Sequence, residues 1–499
     1  MGVKAFLSKP LAALAHSRQQ SWMQDPAAAQ DKILQELLQK GANTAFGKAH
    51  HLKDIRTHQE FAQAVPVRDY EALKTYFDRV KEGEKDVLWP GQPLYFAKTS
   101  GTTSGTKYIP ITADSMPNHV SGGKSALLSY IHETGRSQFL DGKLIFLSGS
   151  PELEKVSGIN TGRLSGIINH HVPGYLRRDQ LPSYQTNCID DWETKLDAII
   201  NETIDQRMTL ISGIPPWVQM YFDKIRSRTG KQIKDVFPDF NLFVYGGVNF
   251  APYRAKLLES IGKKVDSIET FPASEGFFAY QNLQEDPGLL LMVDSGIFFE
   301  FVPVEEFHNP NPTRLTVAEV KTDVNYALII NSNAGLWGYS IGDTVKFTSL
   351  FPHKLVVSGR LKHFISAFGE HVIAEEVEGA LQEAMKEFPE VAVTEFTVAP
   401  YVSPDAGASY HEWLIAFAKA PHNPEQFAKA LDVHLRKRNS YYDDLIGGHI
   451  LSTLKVTALA PNAFQEYMKQ QGKLGGQNKV PRLSNDRTLA DGLLKAIHS

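Results

Sequence analysis

Tyr95-Phe96-Ala97-Lys98-Thr99-Ser100-Gly101-Thr102-Thr103-Ser104-Gly105-Thr106-Lys107-Tyr108-Ile109-Pro110-Ile111 is the most informative stretch of this chain. Small hydroxyl residues and two glycines stand between two apolar runs, and a lysine closes the polar segment. Glycine lets a backbone approach a ligand closely and turn its N–H groups inward. The hydroxyls add donors and the lysine adds a point charge. Together these groups suit phosphate oxygens. The same composition also suits a plain Ser/Thr/Gly surface turn. The apolar flanks, Leu94–Phe96 and Tyr108–Ile111, read as strands, so the segment reads as a loop between two strands. It is not a Walker loop, which needs G-x-x-x-x-G-K-[ST], whereas here Gly101 and Gly105 are followed by Lys107. A kinase-like phosphate-loop fold is therefore disfavoured.

The rest of the chain excludes several classes. Its 499 residues carry 52 Lys and Arg against 56 Asp and Glu, a net charge of −4. A protein that binds nucleic acid through its phosphates carries a basic excess, so no nucleic-acid partner is expected. Apolar residues make up 42% of the chain, a globular value. No run of about 18 apolar residues occurs, so no membrane segment is expected. Pro10–His16 is apolar but short and reads as part of an N-terminal helix. The single cysteine, Cys188, leaves no pair for an intrachain disulfide and fits a reducing, cytoplasmic compartment. No partner motif surrounds it, so it reads as a passive residue rather than a nucleophile.

Residues 1–90 read mostly as helix, with Ile33, Leu34, Leu37 and Leu38 at helical spacing. From about 143 short apolar runs take over. Lys143–Ser148, Met208–Ser212, Asn241–Tyr245 and Lys264–Phe271 read as buried strands separated by helical stretches. That alternation predicts an α/β domain with a mostly parallel sheet. Between 289 and 358 the strand-like runs crowd together, which predicts antiparallel ribbons. After Gly359 a helix at 374–388 and a compact α+β pattern begin. The expected division is a large multi-sheet α/β domain over 1–359, a hinge at 360–362, and a small α+β domain over 363–499.

Later segments make a resemblance specific. Thr99–Lys107 resembles the phosphate loop of the acyl-adenylate-forming superfamily. Gly213-Ile214-Pro215-Pro216, Tyr245-Gly246-Gly247-Val248, Phe271 with Pro272-Ala273-Ser274-Glu275, Tyr339-Ser340-Ile341-Gly342-Asp343 and Gly359-Arg360-Leu361-Lys362-His363-Phe364-Ile365 resemble its later motifs, in the right order. The run from Phe46 to Val80, the loop itself, and Gln477-Asn478-Lys479-Val480-Pro481-Arg482 resemble the auxin-responsive acyl-acid amido synthetase family. There are departures. Ser340 stands where many superfamily members have Arg, so any contact from that arginine is missing. Lys362 replaces the commoner hinge Asp, and Ala273-Ser274-Glu275 lacks a common glycine.

The resemblance implies an ATP-dependent ligase that forms an acyl-AMP from a carboxylic acid and passes the acyl group to an amino acid. It implies that Thr99, Ser100, Gly101, Thr102, Thr103 and Lys107 hold the β- and γ-phosphates. Gly246, Gly247 and Val248 would run along adenine. Ser274 lies beside Glu275, and Glu275 would ligate Mg²⁺, a hard cation that takes carboxylate oxygen. Tyr339 and Asp343 would face the ribose, and Arg360 the ribose or phosphate. Without the resemblance, Asp343 is an ordinary turn Asp and Arg360 a surface arginine. Lys479 would be the mobile-domain lysine on the transferring carboxylate, catalytic with Glu275 and Lys107, and Lys473 is its rival.

The acyl pocket is poorly marked. Trp217, Tyr221, Phe250 and Phe271 are candidates, but aromatic residues there also suit plain core. The pair His170-His171 has no third ligand at a metal spacing, so a zinc site is rejected. With Arg163 and Arg177, His170 could instead line the acid side. Two other readings share the nucleotide motifs: a carboxylate–CoA ligase, and a non-catalytic nucleotide-binding scaffold.

Overall fold

The computed structural model describes residues 2–99, 107–189, 191–247, 250–361, 364–365, 372–401, 409–447, 451–472, 480–484 and 486–498. Two compact units emerge. One comprises Met1–Val248 with Leu257–Val357, the other Asn249–Lys256 with Ser358–Ser499.

In the first unit the strands are β1 (Tyr95–Thr99), β2 (Lys107–Ile111), β3 (Lys143–Phe146), β4 (Glu154–Val156), β5 (Ile159–Gly162), β6 (Gln180–Leu181), β7 (Met208–Ser212), β8 (Leu242–Gly246), β9 (Asp266–Ala273), β10 (Gly276–Gln281), β11 (Leu289–Leu291), β12 (Ile297–Pro303), β13 (Asn325–Ser332), β14 (Leu336–Leu350) and β15 (His353–Arg360). The last strand runs across the division between the units. A four-stranded sheet has the order β2-β1-β5-β4, and an eleven-stranded sheet the order β12-β13-β14-β15-β11-β10-β9-β8-β7-β3-β6. Strands β6, β3, β7, β8 and β9 pair parallel. From β10 the pairing turns antiparallel. This is the predicted change from crossover to ribbon topology, and the fold class is the one expected. One element differs: Val345–Leu350, which the sequence reads as a strand-like run of its own, is the end of β14, which is 15 residues long. A bulge absorbs the break: Leu328 alone faces Ile341, Gly342 and Asp343, and Gly342 takes φ +83°. Glycine meets that dihedral without Cβ strain.

The expected N-terminal helices form at Val3–Gln24, Pro26–Gly41, Ala45–Ala49, His58–Ala64 and Lys74–Lys81. Buried amides tie the first two to the large sheet. Gln19 donates to the Tyr280 hydroxyl at 2.8 Å, and Gln30 donates to the Val293 and Ile297 carbonyls at 2.7 and 2.8 Å. Among the described residues no helix is long and apolar enough to cross a membrane.

A buried charge network lies inside this unit. Glu300, at the centre of β12, is fully buried. Arg314 grips it with Nε at 2.8 Å and Nη2 at 2.5 Å. His58 Nε2 lies 2.7 Å from Oε1, and Asn331 donates to Oε2 at 2.8 Å. Arg314 also donates to the carbonyls of Ala62 and Val65.

The second unit carries a three-stranded sheet: β16 (Ala392–Tyr401) antiparallel to β17 (Tyr410–Lys419), which is parallel to β18 (Lys455–Leu459). The helices Ala374–Glu387 and Pro424–Arg438 pack together over it. Both match the helices that the sequence predicts at 374–388 and 424–438 to within a residue. Sequence periodicity missed the helix Ser440–Gly447.

Burial opposes ionisation of Glu300, but the Arg314 charge and the hydrogen bonds from His58 and Arg314 outweigh it and hold the carboxyl at about 2. A folded pKa below the ordinary 4.5 stabilises the fold above that pH and loses its effect as pH falls towards about 2. Calorimetric midpoints measured from pH 7 to pH 3 should therefore fall less steeply for Glu300→Gln than for the wild type. Arg314→Met leaves the carboxylate buried without its guanidinium partner, held by His58 and Asn331, and should cost about 3–5 kcal/mol at pH 7. Equal slopes for wild type and Glu300→Gln would mean that Glu300 is not ionised in the fold.

Candidate active site

Strands β1 and β2 form the hairpin that the loop sequence predicts. Thr99 and Lys107 are cross-strand partners at its loop end. Ser100, Gly101, Thr102 and Thr103 lie outside the described residues, so the structure places only the two residues that flank the loop. The Lys107 ammonium stands 5.7 Å from the centroid of the Tyr70 ring. The Tyr70 hydroxyl accepts the Tyr108 N–H at 3.1 Å.

Glu275 sits in the two-residue turn between β9 and β10, just past the carboxyl end of the parallel strands. Crevices at such strand ends are where open α/β sheets bind ligands. Neighbouring Ser274 is buried. Asn118, on the helix Met116–Thr134, clamps the chain just after this turn: it accepts the Phe277 N–H at 2.7 Å and donates to the Phe277 carbonyl at 3.0 Å. Tyr339, 64 residues on, donates its hydroxyl to Glu275 Oε1 at 3.3 Å. Burial, and then the nearby Glu275 charge, push the Tyr339 phenol well above its ordinary value, so it stays a donor.

Asp343 is buried in the β14 bulge, not in a surface turn. Gly246 ends β8 opposite Thr270 of β9, and Gly247 follows at φ +78°. A Cβ on Gly246 would meet the Thr270 carbonyl at 2.3 Å, so this close approach of two strands needs glycine. The structure thus brings Glu275 and Tyr339 into contact and sets Gly246 at the end of the strand beside β9.

Other expected residues lie elsewhere. Val248, Lys362, Lys473 and Lys479 fall outside the described residues. Arg360 ends β15 and is exposed in the second unit. Three residues beyond Lys479, Arg482 donates to Glu378 at 3.1 Å and to Glu395, and lies over the Phe396 ring. The Pro481 carbonyl accepts the Thr397 hydroxyl at 2.7 Å. Residues 480–484 are therefore docked on β16. His170 and His171 point at the Pro151 carbonyl and the Tyr95 hydroxyl, at 2.8 and 3.1 Å. Burial raises the Cys188 thiol, which makes it a poor nucleophile. Trp217, Tyr221 and Phe271 are core residues.

The sequence reading missed Asn118 and Tyr70. Their partners lie 159 and 38 residues away, and no local spacing announces such pairs.

Among the described residues no group of three or more His, Cys, Asp and Glu side chains is placed to hold a cation. One carboxylate still fits Mg²⁺, which is commonly held by one or two carboxylates, water and substrate phosphate.

Comparison with known proteins defines first a class. The chain superposes on the solved GH3.15 acyl acid amido synthetase with a TM-score of 0.79, covering 97% of this chain and 95% of the other at 16% identity. It superposes on a 2-hydroxyisobutyryl-CoA ligase in the postadenylation state with a TM-score of 0.62, covering 95% and 94% at 13% identity. The fold is that of the adenylate-forming enzymes. Within that class, residues 15–173, 290–360 and 375–488 match the N-terminal, central and C-terminal domains of the GH3 family. The chain belongs to the GH3 family, as the resemblance read from its residues implied. It is 23% identical to the indole-3-acetic acid-amido synthetase GH3.15 of Arabidopsis thaliana, over 92% of this chain and 91% of the relative. It is 21% identical to the jasmonoyl–L-amino acid synthetase JAR4 of Nicotiana attenuata, over 64% and 67%. These relatives are acid–amino acid ligases.

Gly246→Ala should separate the ends of β8 and β9, cost about 1–3 kcal/mol, and weaken ATP binding measured by titration calorimetry. Gly123→Ala, on a helix with open space around its Cβ, is the control and should be neutral or stabilising. Unchanged ATP affinity in Gly246→Ala would remove the β8 end from the site.

Proposed function

We propose that this chain is an ATP-dependent acyl-acid amido synthetase acting on a small carboxylic acid and an amino acid. The observation that carries this reading is the meeting of Tyr339 with Glu275 at the carboxyl end of the parallel strands, within a GH3-family chain. The acid's carboxylate oxygen attacks the α-phosphorus of ATP, and pyrophosphate leaves. The amino acid's nitrogen then attacks the acyl carbon, the bond to AMP breaks, and the amine loses its proton.

Each motif has a part. Thr99, Ser100, Gly101, Thr102, Thr103 and Lys107 hold the β- and γ-phosphates. Gly246, Gly247 and Val248 line adenine. Tyr339 and Asp343 face the ribose, Ser274 flanks the site, and Arg360 reaches ribose or phosphate. Glu275 would hold Mg²⁺, which when bound would supply positive charge to the phosphates. Tyr339 supports that role by holding one carboxylate oxygen from behind. Lys479 serves the transferring carboxylate from the mobile domain, and residues 360–362 are the hinge between the two half-reactions. The single cysteine suits a cytoplasmic enzyme.

A screen of carboxylic acids against mixed amino acids and against CoA, read by mass spectrometry, tests the assignment. Amide products with acid-dependent pyrophosphate release are expected. Thioester products alone would move the chain to the CoA ligases, and ATP binding with no turnover would make it a nucleotide-binding scaffold.

Glu275→Gln removes the charge a hard cation needs at little change in volume, so pyrophosphate exchange should fall at least ~10²-fold with the fold intact. Near-wild-type exchange would sink the metal role. Lys479→Ala should slow adenylation ~10²–10³-fold while ATP affinity holds, since a lysine that arrives only in the closed state acts on the transition state. Amide formation from supplied acyl-adenylate should be much less affected. If Lys473→Ala carries the defect instead, the role moves six residues upstream.

A further inference from the structure

The geometry points to Tyr70 as a positioning residue that aims Lys107 at the nucleotide phosphates. This inference rests on the phosphate-loop reading proposed above. Tyr70 is buried, and it holds the beginning of β2 in two ways. Its hydroxyl accepts the Tyr108 N–H at 3.1 Å, and its ring faces the Lys107 ammonium at 5.7 Å. A cation at that distance is attracted by the negative face of the ring. The long, flexible lysine stem is thereby kept on one side of the hairpin, at the residue where the loop re-enters the strand.

Tyr70 is itself held from behind. Its ring stacks on Phe77 at 4.7 Å, and Phe77 meets Tyr339 edge-on at 6.3 Å. The backbone two residues before it is strapped to β14: the Arg68 N–H donates to the Gly338 carbonyl and the Ser340 N–H to the Arg68 carbonyl, both at 2.8 Å. Tyr339 in turn donates to Glu275. A packed line therefore runs Lys107, Tyr70, Phe77, Tyr339, Glu275. It joins the phosphate-loop lysine to the carboxylate turn through side chains that are rigid aromatics. Nothing in the loop sequence requires a tyrosine 37 residues upstream; the fold supplies it.

The probe is ATP with MgCl₂ and no acid, titrated calorimetrically into the full chain, with the thermal midpoint read in parallel. Lys107→Met should weaken ATP binding. Tyr70→Leu should weaken it roughly three- to tenfold, and the double variant should be no weaker than Lys107→Met alone. Tyr70→Phe keeps the ring and should restore affinity to within about twofold of wild type. Phenylalanine analogues with one, two and three ring fluorines at position 70 keep the shape while draining the negative face. Affinity should fall stepwise along that series, which a merely structural role would not produce. A flat fluorine series, or an additive double variant, overturns the role of Tyr70 and leaves the phosphate loop standing. Wild-type affinity in Lys107→Met overturns the phosphate-loop reading and this inference with it. Should Tyr70→Leu fail to fold, the fluorine series decides.

Discussion

The Glu300 carboxylate is the constraint on which the placement of the site depends. A charge taken wholly out of water is costly unless several groups compensate it at once. Here Arg314, His58 and Asn331 all converge on it from different parts of the chain. Arg314 reaches past it to the carbonyls that end the helix His58–Ala64, so the chain leaving that helix has a fixed exit. Asn331 uses its other atom to accept the Gly338 N–H at 2.6 Å. Gly338 and Ser340, on either side of Tyr339, are the residues to which the Arg68 backbone is hydrogen-bonded. One buried carboxylate thus sets both sides of the junction that carries Tyr70 and Tyr339. Removing a partner would do more than expose a charge: it would free the segment that positions them.

Around that junction, the motif residues stand at local departures from regular structure. A regular β14 would alternate its side chains without interruption. The bulge at Ile341–Asp343 adds residues on one strand only and turns Asp343 into a buried acid. The turn between β9 and β10 is short, so Glu275 has little freedom of its own, and the Asn118 clamp removes more. Three of the motif regions therefore occur where pairing is broken or ended: a hairpin mouth, a strand end and a bulge. Regular pairing would consume the backbone groups that a ligand must reach.

Much of the fold was legible in the sequence because it is periodic. The buried parallel strands read as continuous apolar runs, and the helix at 374–387 as an amphipathic stripe. The helix Met116–Thr134 was not read: it carries Gly122, Gly123 and several hydroxyl residues, and it is held by tertiary contacts such as Asn118 rather than by propensity. Only the end of β14, Val345–Leu350, was legible as a strand: the bulge at Gly342 interrupts the run, and pairing with β13 continues on both sides of it. Ordered motifs pointed to Glu275 and Tyr339, but Tyr70, Asn118 and the Glu300–Arg314 pair carry no local signature. They matter through partners made adjacent by folding.

The C-terminal segment follows the same logic by different means. Arg482 is nearly buried, lies between Glu378 and Glu395, and covers the Phe396 ring. Two carboxylates on one guanidinium satisfy its planar donors, which an ammonium could not do with the same geometry. The main chain adds to this: the Val398 N–H donates to the Arg482 carbonyl at 2.9 Å, and the Ser484 N–H to the Val398 carbonyl at 3.0 Å. The conjunction of Lys479 with Arg482 in the family's closing motif then has a physical reading. The arginine and its flanking backbone anchor the chain to β16 three residues after Lys479, so the closing motif joins its lysine to a segment fixed by charge and main-chain pairing.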